Sequence, residues 1–442
     1  MGLFTLFREF SMRWWLYTVL FAIAYIIMTP YFLLRMKRRG GYRVRFADRF
    51  GRYPQPVIDR LAKLDRPVWI HAVSVGEVYV AGQVMNALRT RKPSTTFVLS
   101  TTSSTGWKEA EKLVSAEDVL IYYPLDFPSC VKRALKVIRP SIFVITETEI
   151  WPNMIRACHT AAVPLYLMNA RVSDKSLPRY RLIRFWVKPA LNMFAKIFAQ
   201  SSTDKSRLVA MGAHPDLVEI TGSFKFDVAH RNPEKEASVK DFLSRFGISK
   251  QQTVLLGGST WPGEDSILID IFKRLTSRYP NLRLVIVPRH FEKADSVQAE
   301  IEKAGFSCLR KSKLALDATG PANSDSVILA DTTGELMGFY GNADIVFVGK
   351  SICEHGAQNM IEPCLCGTVT LVGPNTENFR PVMTDLLEAQ ALIQVQDAAH
   401  LEREIIRFLD DPAARQAIGA RATAAVTRRT GVVASVVRTL PC

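Results

Sequence analysis

The sequence predicts an α/β chain made of two doubly wound domains behind a single apolar helix. Three observations carry this. Short apolar runs alternate with helical patterns along most of the 442 residues, the rhythm of a parallel sheet covered on both faces. That rhythm breaks once, at HRNPEKEASVKD (His230 to Asp241), and then restarts, and the length itself suits two or three domains. Near its start the chain also carries 21 residues without a charge, from Trp14 to Leu34.

That stretch, WWLYTVLFAIAYIIMTPYFLL, is long enough for a helix to cross the hydrocarbon core. Arg35, Lys37, Arg38 and Arg39 follow at once, then Arg43, Arg45 and Arg49, whereas only Arg8 and Arg13 precede it. The positive-inside rule then predicts a single-pass N-terminal anchor with everything after it on the cytoplasmic face. The run is too long, and its end too basic, for a cleaved signal peptide. Pro30 leaves room for a second form, a shortened or kinked monotopic anchor. The basic cluster would attract anionic phospholipid, by roughly 1 kcal/mol per cation near the surface.

After the anchor come seven strand candidates: PVWIHAVSV, TFVLSTT, DVLIYYPL, SIFVITET, PLYLMNA, KIFAQS and VEITGS. Helical stretches such as VYVAGQVMNALRT and PSCVKRALKVIR separate them. Beyond the polar break come TVLLGGST, a helix from Glu264, LRLVIVPRH, a helix from Glu292, SVILADTTG, DIVFVGKS and TVTLVGP, with a helical tail from Ala398. The expected organisation is an anchor and basic segment at 1–45, a first Rossmann-like domain at 46–229, a linker at 230–250, and a second at 251–442 that includes the C-terminal helices. Two such domains facing each other would form a cleft at the carboxyl ends of both sheets, where open α/β folds bind ligands.

Composition narrows the partners. A net charge of +15 points to an anionic one: a membrane surface, a nucleic acid or a phosphorylated substrate. No basic stripe interleaved with aromatics is present, which argues against nucleic acid. The cations gather instead beside the anchor and in RVSDKSLPRYRLIRFWVK, Arg171 to Lys188, where Phe185 and Trp186 lie among them. That second cluster reads either as a contact for a phosphorylated lipid or as a solvated helix face. Seven cysteines, scattered singly apart from Cys364 and Cys366, argue against a disulfide framework or a zinc site. There is no GxGxxG and no Walker A, which disfavours dinucleotides and ATP, and no acidic pair after a strand suggests a metal.

The residues that can carry chemistry lie just after strands. In the first domain HAVSVGE places Glu77 after Gly76 at a helix start, where the helix dipole is expected to keep it ionised, either as a general base or as a plain N-terminal helix carboxylate. FVITETEIWPN gives Glu147 and Glu149, one of which is expected to cap the helix beginning near Trp151 and Pro152. LYLMNARVSDKS gives Asn169, Arg171, Ser173 and Lys175, and ITGSFKFD gives Lys225. In the second domain Arg289 and His290 end a strand, as a phosphate site or as a surface pair. The turn Thr333, Gly334, Glu335, Leu336 opens a helix, and Asn359 lies three residues before Glu362, as a ribose-binding carboxylate turn or as a capping box. Three such sites spaced one βα unit apart point to a nucleotide.

These blocks, in order, resemble a known family. YRVRFADRFGRY, HAVSVGE, TTSSTGW, YYPLDFP, ITETEIWPNMI, MNARVSDKS, AQSSTDKSRL, TGSFKFD, GGSTWPGED, VPRH, DTTGELMGFYGNADIVFVGKS and HGAQNMIEP span nearly the whole chain. They are similar to the Kdo transferases, membrane-anchored enzymes that attach 3-deoxy-D-manno-octulosonic acid (Kdo) to lipid A precursor in lipopolysaccharide biosynthesis. The resemblance implies a GT-B fold, a CMP-Kdo donor, lipid IVA as acceptor, inverting chemistry without a metal cofactor, and the inner membrane as location. It also implies Glu77 as the base, Glu147 and Lys225 steadying the transition state, and CMP held by Arg289, His290, Thr333 to Leu336 (with Gly334 and Glu335), and Asn359, Met360, Ile361 and Glu362. One departure stands out: where the family has two glycines, this chain reads HGAQN, with Ala357. Its methyl group would crowd the backbone if that position needs a positive φ. The competing readings are a UDP-sugar GT-B transferase of the envelope, a nucleotide-sugar epimerase, and a membrane-tethered scaffold with a degenerate site.

Overall fold

The computed structural model describes residues 2–39, 45–249, 251–315, 319–320 and 325–441. Arg43, in the basic segment, lies outside the described residues. The chain divides into two compact units, Met1–Val228 with Gly431–Cys442, and Ala229–Thr430.

The first unit is built on a seven-stranded sheet: β1 (Val68–His71), β2 (Phe97–Thr101), β3 (Val119–Tyr122), β4 (Ile142–Thr146), β5 (Leu165–Ala170), β6 (Lys196–Ala199) and β7 (Val218–Ile220). Their order is β3-β2-β1-β4-β5-β6-β7, and every pairing is parallel. β1 to β5 are buried at every residue, so they read as continuous apolar runs rather than as alternation. The period of two survives in what each side chain meets. Trp69, Phe143 and Ile145 point to one core with Val131, Ala134 and Met154, while Ile70 and Val144 point to another with Val78, Val84 and Leu88. All seven expected strands form.

The second unit repeats the plan with β8 (Thr253–Thr260), β9 (Leu282–Pro288), β10 (Ser307–Arg310), β11 (Ser326–Leu329), β12 (Ile345–Val348), β13 (Val369–Val372) and β14 (Ile393–Gln394). The order is β10-β11-β9-β8-β12-β13-β14, again parallel throughout. The two edge strands, β10 and β14, were not expected from the sequence.

Two boundaries differ from the expected 46–229, 230–250 and 251–442. The 230–250 segment is not a bare linker: Pro233–Arg245 is a helix whose Val239, Phe242 and Leu243 are buried within the second unit. It lies so close to the helix Leu336–Tyr340 that a Cβ on Gly338 would stand 2.7 Å from the Lys235 carbonyl. The last helix, Val432–Arg438, belongs to the first unit, not the second. Val433, Val436 and Val437 join the core behind the helix Val75–Arg91. The Asp227 carboxylate accepts from the backbone N–H of Gly431 (2.5 Å) and Val433 (2.6 Å) at its start, and Arg91 donates to the carbonyls of Val437 and Leu440 at its end.

Candidate active site

In the first unit the carboxyl end of β1 runs through Ala72 and Val73 into the helix Val75–Arg91. His71 does no surface work. It is fully buried, its ring stacks on Tyr123 at 3.8 Å, and burial pushes its pKa down to about 3, so it is neutral. Glu77 is 6% exposed and forms a capping box: the Ser74 hydroxyl accepts from Glu77 N–H at 3.3 Å, and Glu77 Oε1 accepts from Ser74 N–H at 3.1 Å. Oε2 accepts from Val73 N–H at 2.9 Å and lies 3.2 Å from the Thr146 hydroxyl. These donors favour the anion, yet the net shift is upward, because burial dominates and the charge of Glu147 adds to it. The helix dipole expected to keep Glu77 ionised is thus opposed by burial and by Glu147.

Glu147 leaves β4 with φ of 56°, a left-handed conformation unusual outside glycine. Burial, then Glu77, and then Glu147 push Glu149 up to about 7. Neither glutamate caps the helix Pro152–Thr160, as had been expected; Asp126, from the loop after β3, accepts from the N–H groups of Asn153 (3.0 Å) and Met154 (2.8 Å). Lys225 opens the short helix after β7 and is half-buried. Burial pushes its pKa down, while Glu147 and Glu77 oppose that shift and Arg171 adds to it. Three carboxylates and two cations thus form one electrostatic group. Asn169 holds its parts together: with φ of 55° at a bulge in β5, it accepts from Phe224 N–H at 3.0 Å, beside Lys225. Ser173 stays local, accepting from Ser176 N–H, and Lys175 sits at the start of the next helix.

In the second unit Arg289 and His290 are exposed just past β9. His290 sets its ring edge-on to Trp261 at 5.2 Å and lines a pocket with Thr260, Asp265, Lys293 and Glu300. Thr333 and Gly334 are exposed, and Gly334 has φ of 81°, which its lack of a side chain allows. Glu335 is bound to Lys311 at 2.8 Å and to the Thr332 hydroxyl, and Leu336 is half-buried. Asn359 and Glu362 do not make a capping box. Asn359 Nδ2 donates to Glu362 Oε1 at 3.0 Å while its own oxygen accepts from Ile361 N–H, and burial pushes the Glu362 pKa up. The side chains of Met360 and Ile361, between them, are fully buried in the core. Ala357 does occupy a left-handed position, with φ of 53°.

Sequence reasoning missed Glu264, which it read only as a helix start. This carboxylate is fully buried and accepts four backbone N–H bonds: Trp261 (2.9 Å) and Lys350 (2.7 Å) on Oε2, Ser351 (2.8 Å) and Ile352 (3.0 Å) on Oε1. It pins the loop after β12 that leads to Asn359 and Glu362. At that crossing a Cβ on Gly349 would stand 2.3 Å from the Ser259 carbonyl, so only glycine fits. Among the described residues no three His, Cys, Asp or Glu side chains gather as a metal site.

The family model for 3-deoxy-D-manno-octulosonic-acid transferase (kdotransferase) matches residues 44–228, and the model for glycosyl transferases group 1 matches 266–425. The 3-deoxy-D-manno-octulosonic acid transferase of Haemophilus influenzae is 32% identical over 410 residues, 91% of this chain and 92% of that protein. The transferase of the same name from Bordetella pertussis is 33% identical over 411 residues, covering 90% and 92%. Among solved structures, a glycosyltransferase from Rickettsia africae matches with a TM-score of 0.55 at 12% identity, over 84% of this chain and 97% of that one. The UDP-GlcNAc 2-epimerase of Neisseria meningitidis matches with a TM-score of 0.54 at 14% identity, over 82% and 99%. These two likenesses show the shared GT-B fold and nothing finer, since a transferase and an epimerase both carry it. Sequence identity over nine-tenths of two relatives decides the family: this chain belongs to the 3-deoxy-D-manno-octulosonic acid transferases and is a glycosyltransferase.

Proposed function

We propose that this enzyme moves Kdo from CMP-Kdo to a hydroxyl of lipid IVA, with inversion at the anomeric carbon, on the cytoplasmic face of the inner membrane. The observation that carries this reading is Glu77, a buried carboxylate whose proton affinity is raised by burial and by Glu147. A raised affinity at a strand exit suits a group that must take a proton from a sugar hydroxyl near neutral pH. In the step proposed, the acceptor oxygen bonds to the anomeric carbon of Kdo as its proton passes to Glu77. The bond from that carbon to the phosphate oxygen breaks, and CMP leaves with the electron pair. Glu147 and Lys225 steady the charge that shifts during transfer. Arg289 and His290 meet the phosphate, and the turn Thr333–Leu336 with Asn359 and Glu362 holds the nucleoside, Met360 and Ile361 contributing backbone only. No metal or organic cofactor takes part in this scheme.

The test is a product assay. Purified protein in detergent receives CMP-Kdo generated in situ and tetraacylated lipid A precursor, with EDTA present, and mass spectrometry reads the lipid. A mass increase in Kdo units is expected, and their number reports how many are transferred. A lipid that stays unchanged with CMP-Kdo but gains a sugar from a UDP-sugar would replace this reading.

A further inference from the structure

The apolar helix at the start of the chain is not free of the first unit. It runs from Gly2 to Arg39 without a break at Pro30. One stripe of it, at positions 14, 17, 18, 21 and 25, is docked. Trp14 is 1% exposed and belongs to the core with Leu61 and Phe143. The Tyr17 hydroxyl donates to Asp126 Oδ2 at 2.8 Å, and Thr18 and Asn153 are hydrogen-bonded through their side chains at 3.1 Å. Phe21 and Tyr25 pack edge-on against Phe127 at 5.1 and 5.8 Å. Asp126 and Asn153 are buried in this docked state, and lifting the helix off would break their bonds to Tyr17 and Thr18.

This docking sets a length limit. Beyond Tyr25 only Ile26 to Leu34 remain before the basic residues, and nine residues at 1.5 Å each rise about 14 Å, less than half of the ~30 Å hydrocarbon core. The chain is also back on the same unit at Asp48, which is buried and accepts from Tyr122 N–H at 3.2 Å. Five residues lie between Arg39 and Arg45, and the six Cα–Cα steps reach at most about 21 Å. A helix that crossed the membrane would need its two ends on opposite sides, yet both are tied to one domain.

The undocked face is apolar and open. Trp15, Ile23, Ile26 and Ile27 are all at least half exposed, Ile27 at 72%. Leu182, at 87%, and Phe185 extend the surface from the neighbouring helices. Phe185 and its neighbour Trp186 are joined to the helix through Arg13, whose guanidinium lies 4.1 Å over the Phe185 ring and whose carbonyl accepts from Trp186 Nε1 at 2.8 Å. Exposed Arg179, Arg181, Arg184 and Lys188 flank this patch. An apolar face bordered by cations complements one surface above others, the boundary between acyl chains and anionic headgroups. We propose that the helix does not span the membrane but lies in one leaflet of an anionic bilayer, with both of its ends on the same side. The segments it docks on, at Asp126–Phe127 and Trp151–Asn153, follow β3 and β4 and so leave the sheet at the end that carries Glu77. This deepens the reading of lipid A precursor as acceptor, and rests on that reading for its consequence: a hydroxyl borne in the leaflet meets Glu77 without the lipid leaving the membrane.

The test is membrane sidedness of the full chain, with protease sites added before Met1 and after Cys442. Both sites should be cut in inverted membrane vesicles and both protected in intact spheroplasts. Cleavage of the N-terminal site in spheroplasts, with the C-terminal one protected, would overturn the proposal. A second readout is flotation with vesicles of phosphatidylcholine and phosphatidylglycerol. Ile23→Asp with Ile27→Asp should lower binding at least about 100-fold while leaving the melting temperature unchanged. Unchanged flotation, or a change in oligomeric state alone, would assign the face to a second copy of the chain and overturn the leaflet. Neither readout uses Kdo transfer, so each stands whatever sugar the enzyme proves to move.

Discussion

The two sheets end in opposite electrostatic arrangements. At the exits of β1 and β4, Glu77, Glu147 and Glu149 crowd together, and burial with like charge raises the proton affinity of Glu77 and Glu149. At the exits of β8 and β12, one carboxylate, Glu264, is saturated by four backbone N–H groups, and the cations Arg289 and Lys293 stand outside it. The difference separates two tasks that carboxylates perform. Buried and crowded by like charge, a carboxylate becomes a group that takes protons. Saturated, it becomes a backbone clamp, and here it clamps the loop that leads to the proposed donor residues.

The sharpest way to break that contrast is to exchange acids for amides in both units. Glu77→Gln keeps the shape of the capping box but removes the proposed base, so kcat should fall by about 100- to 10,000-fold while donor binding is retained. Glu264→Gln should do the reverse. Its amide would turn an NH2 toward two backbone donors, each left unsatisfied at a cost of about 1–3 kcal/mol. The KM for donor should rise at least tenfold, by about 1.4 kcal/mol or more, with thermal stability falling in parallel. Equal effects of both variants on donor binding would erase the distinction.

A smaller effect sharpens the first unit alone. Glu149 sits at about 7 in the folded chain, above the ordinary carboxylate value of 4.5. Between those values the folded state holds a proton that the unfolded state has lost, so stability falls as pH rises from about 5 past 7. Glu149→Gln removes that penalty: its melting temperature should exceed that of the parent at pH 8 and approach it at pH 5. The smallest effect belongs to the second unit. Ala357 at φ of 53° is strained where glycine is not, so Ala357→Gly should raise stability by up to about 1 kcal/mol in denaturant unfolding.

Much of this was legible in the sequence, for physical reasons that also explain the failures. Buried parallel strands announce themselves as runs such as SIFVITET, because both faces must be apolar. The edge strands β10 and β14 escaped because SCLR and IQ are short and half-exposed, like any loop. The helix Pro233–Arg245 was hidden by its charges, although Val239, Phe242 and Leu243 hold the helical spacing. Nothing local told that Val432–Arg438 returns to the first unit; Asp227, some two hundred residues earlier, supplies its cap. Glu77 was visible as a carboxylate at a helix start, whereas the partners of Glu264 at 350–352 are distant in sequence and leave no local pattern. In the opening helix uniform hydrophobicity masked the docked stripe, since the lipid-facing and protein-facing sides are both apolar.

Proton transfer from the acceptor to Glu77 is the step on which the proposed mechanism turns. Its most direct test is the pH dependence of single-turnover Kdo transfer in Glu77→Gln beside the parent, with CMP-Kdo binding measured on the same samples. The parent rate should level off once Glu77 is ionised, and the variant rate should start far lower and climb about tenfold per pH unit as hydroxide replaces the lost base. A variant that binds donor and keeps the rate and pH profile of the parent would contradict it.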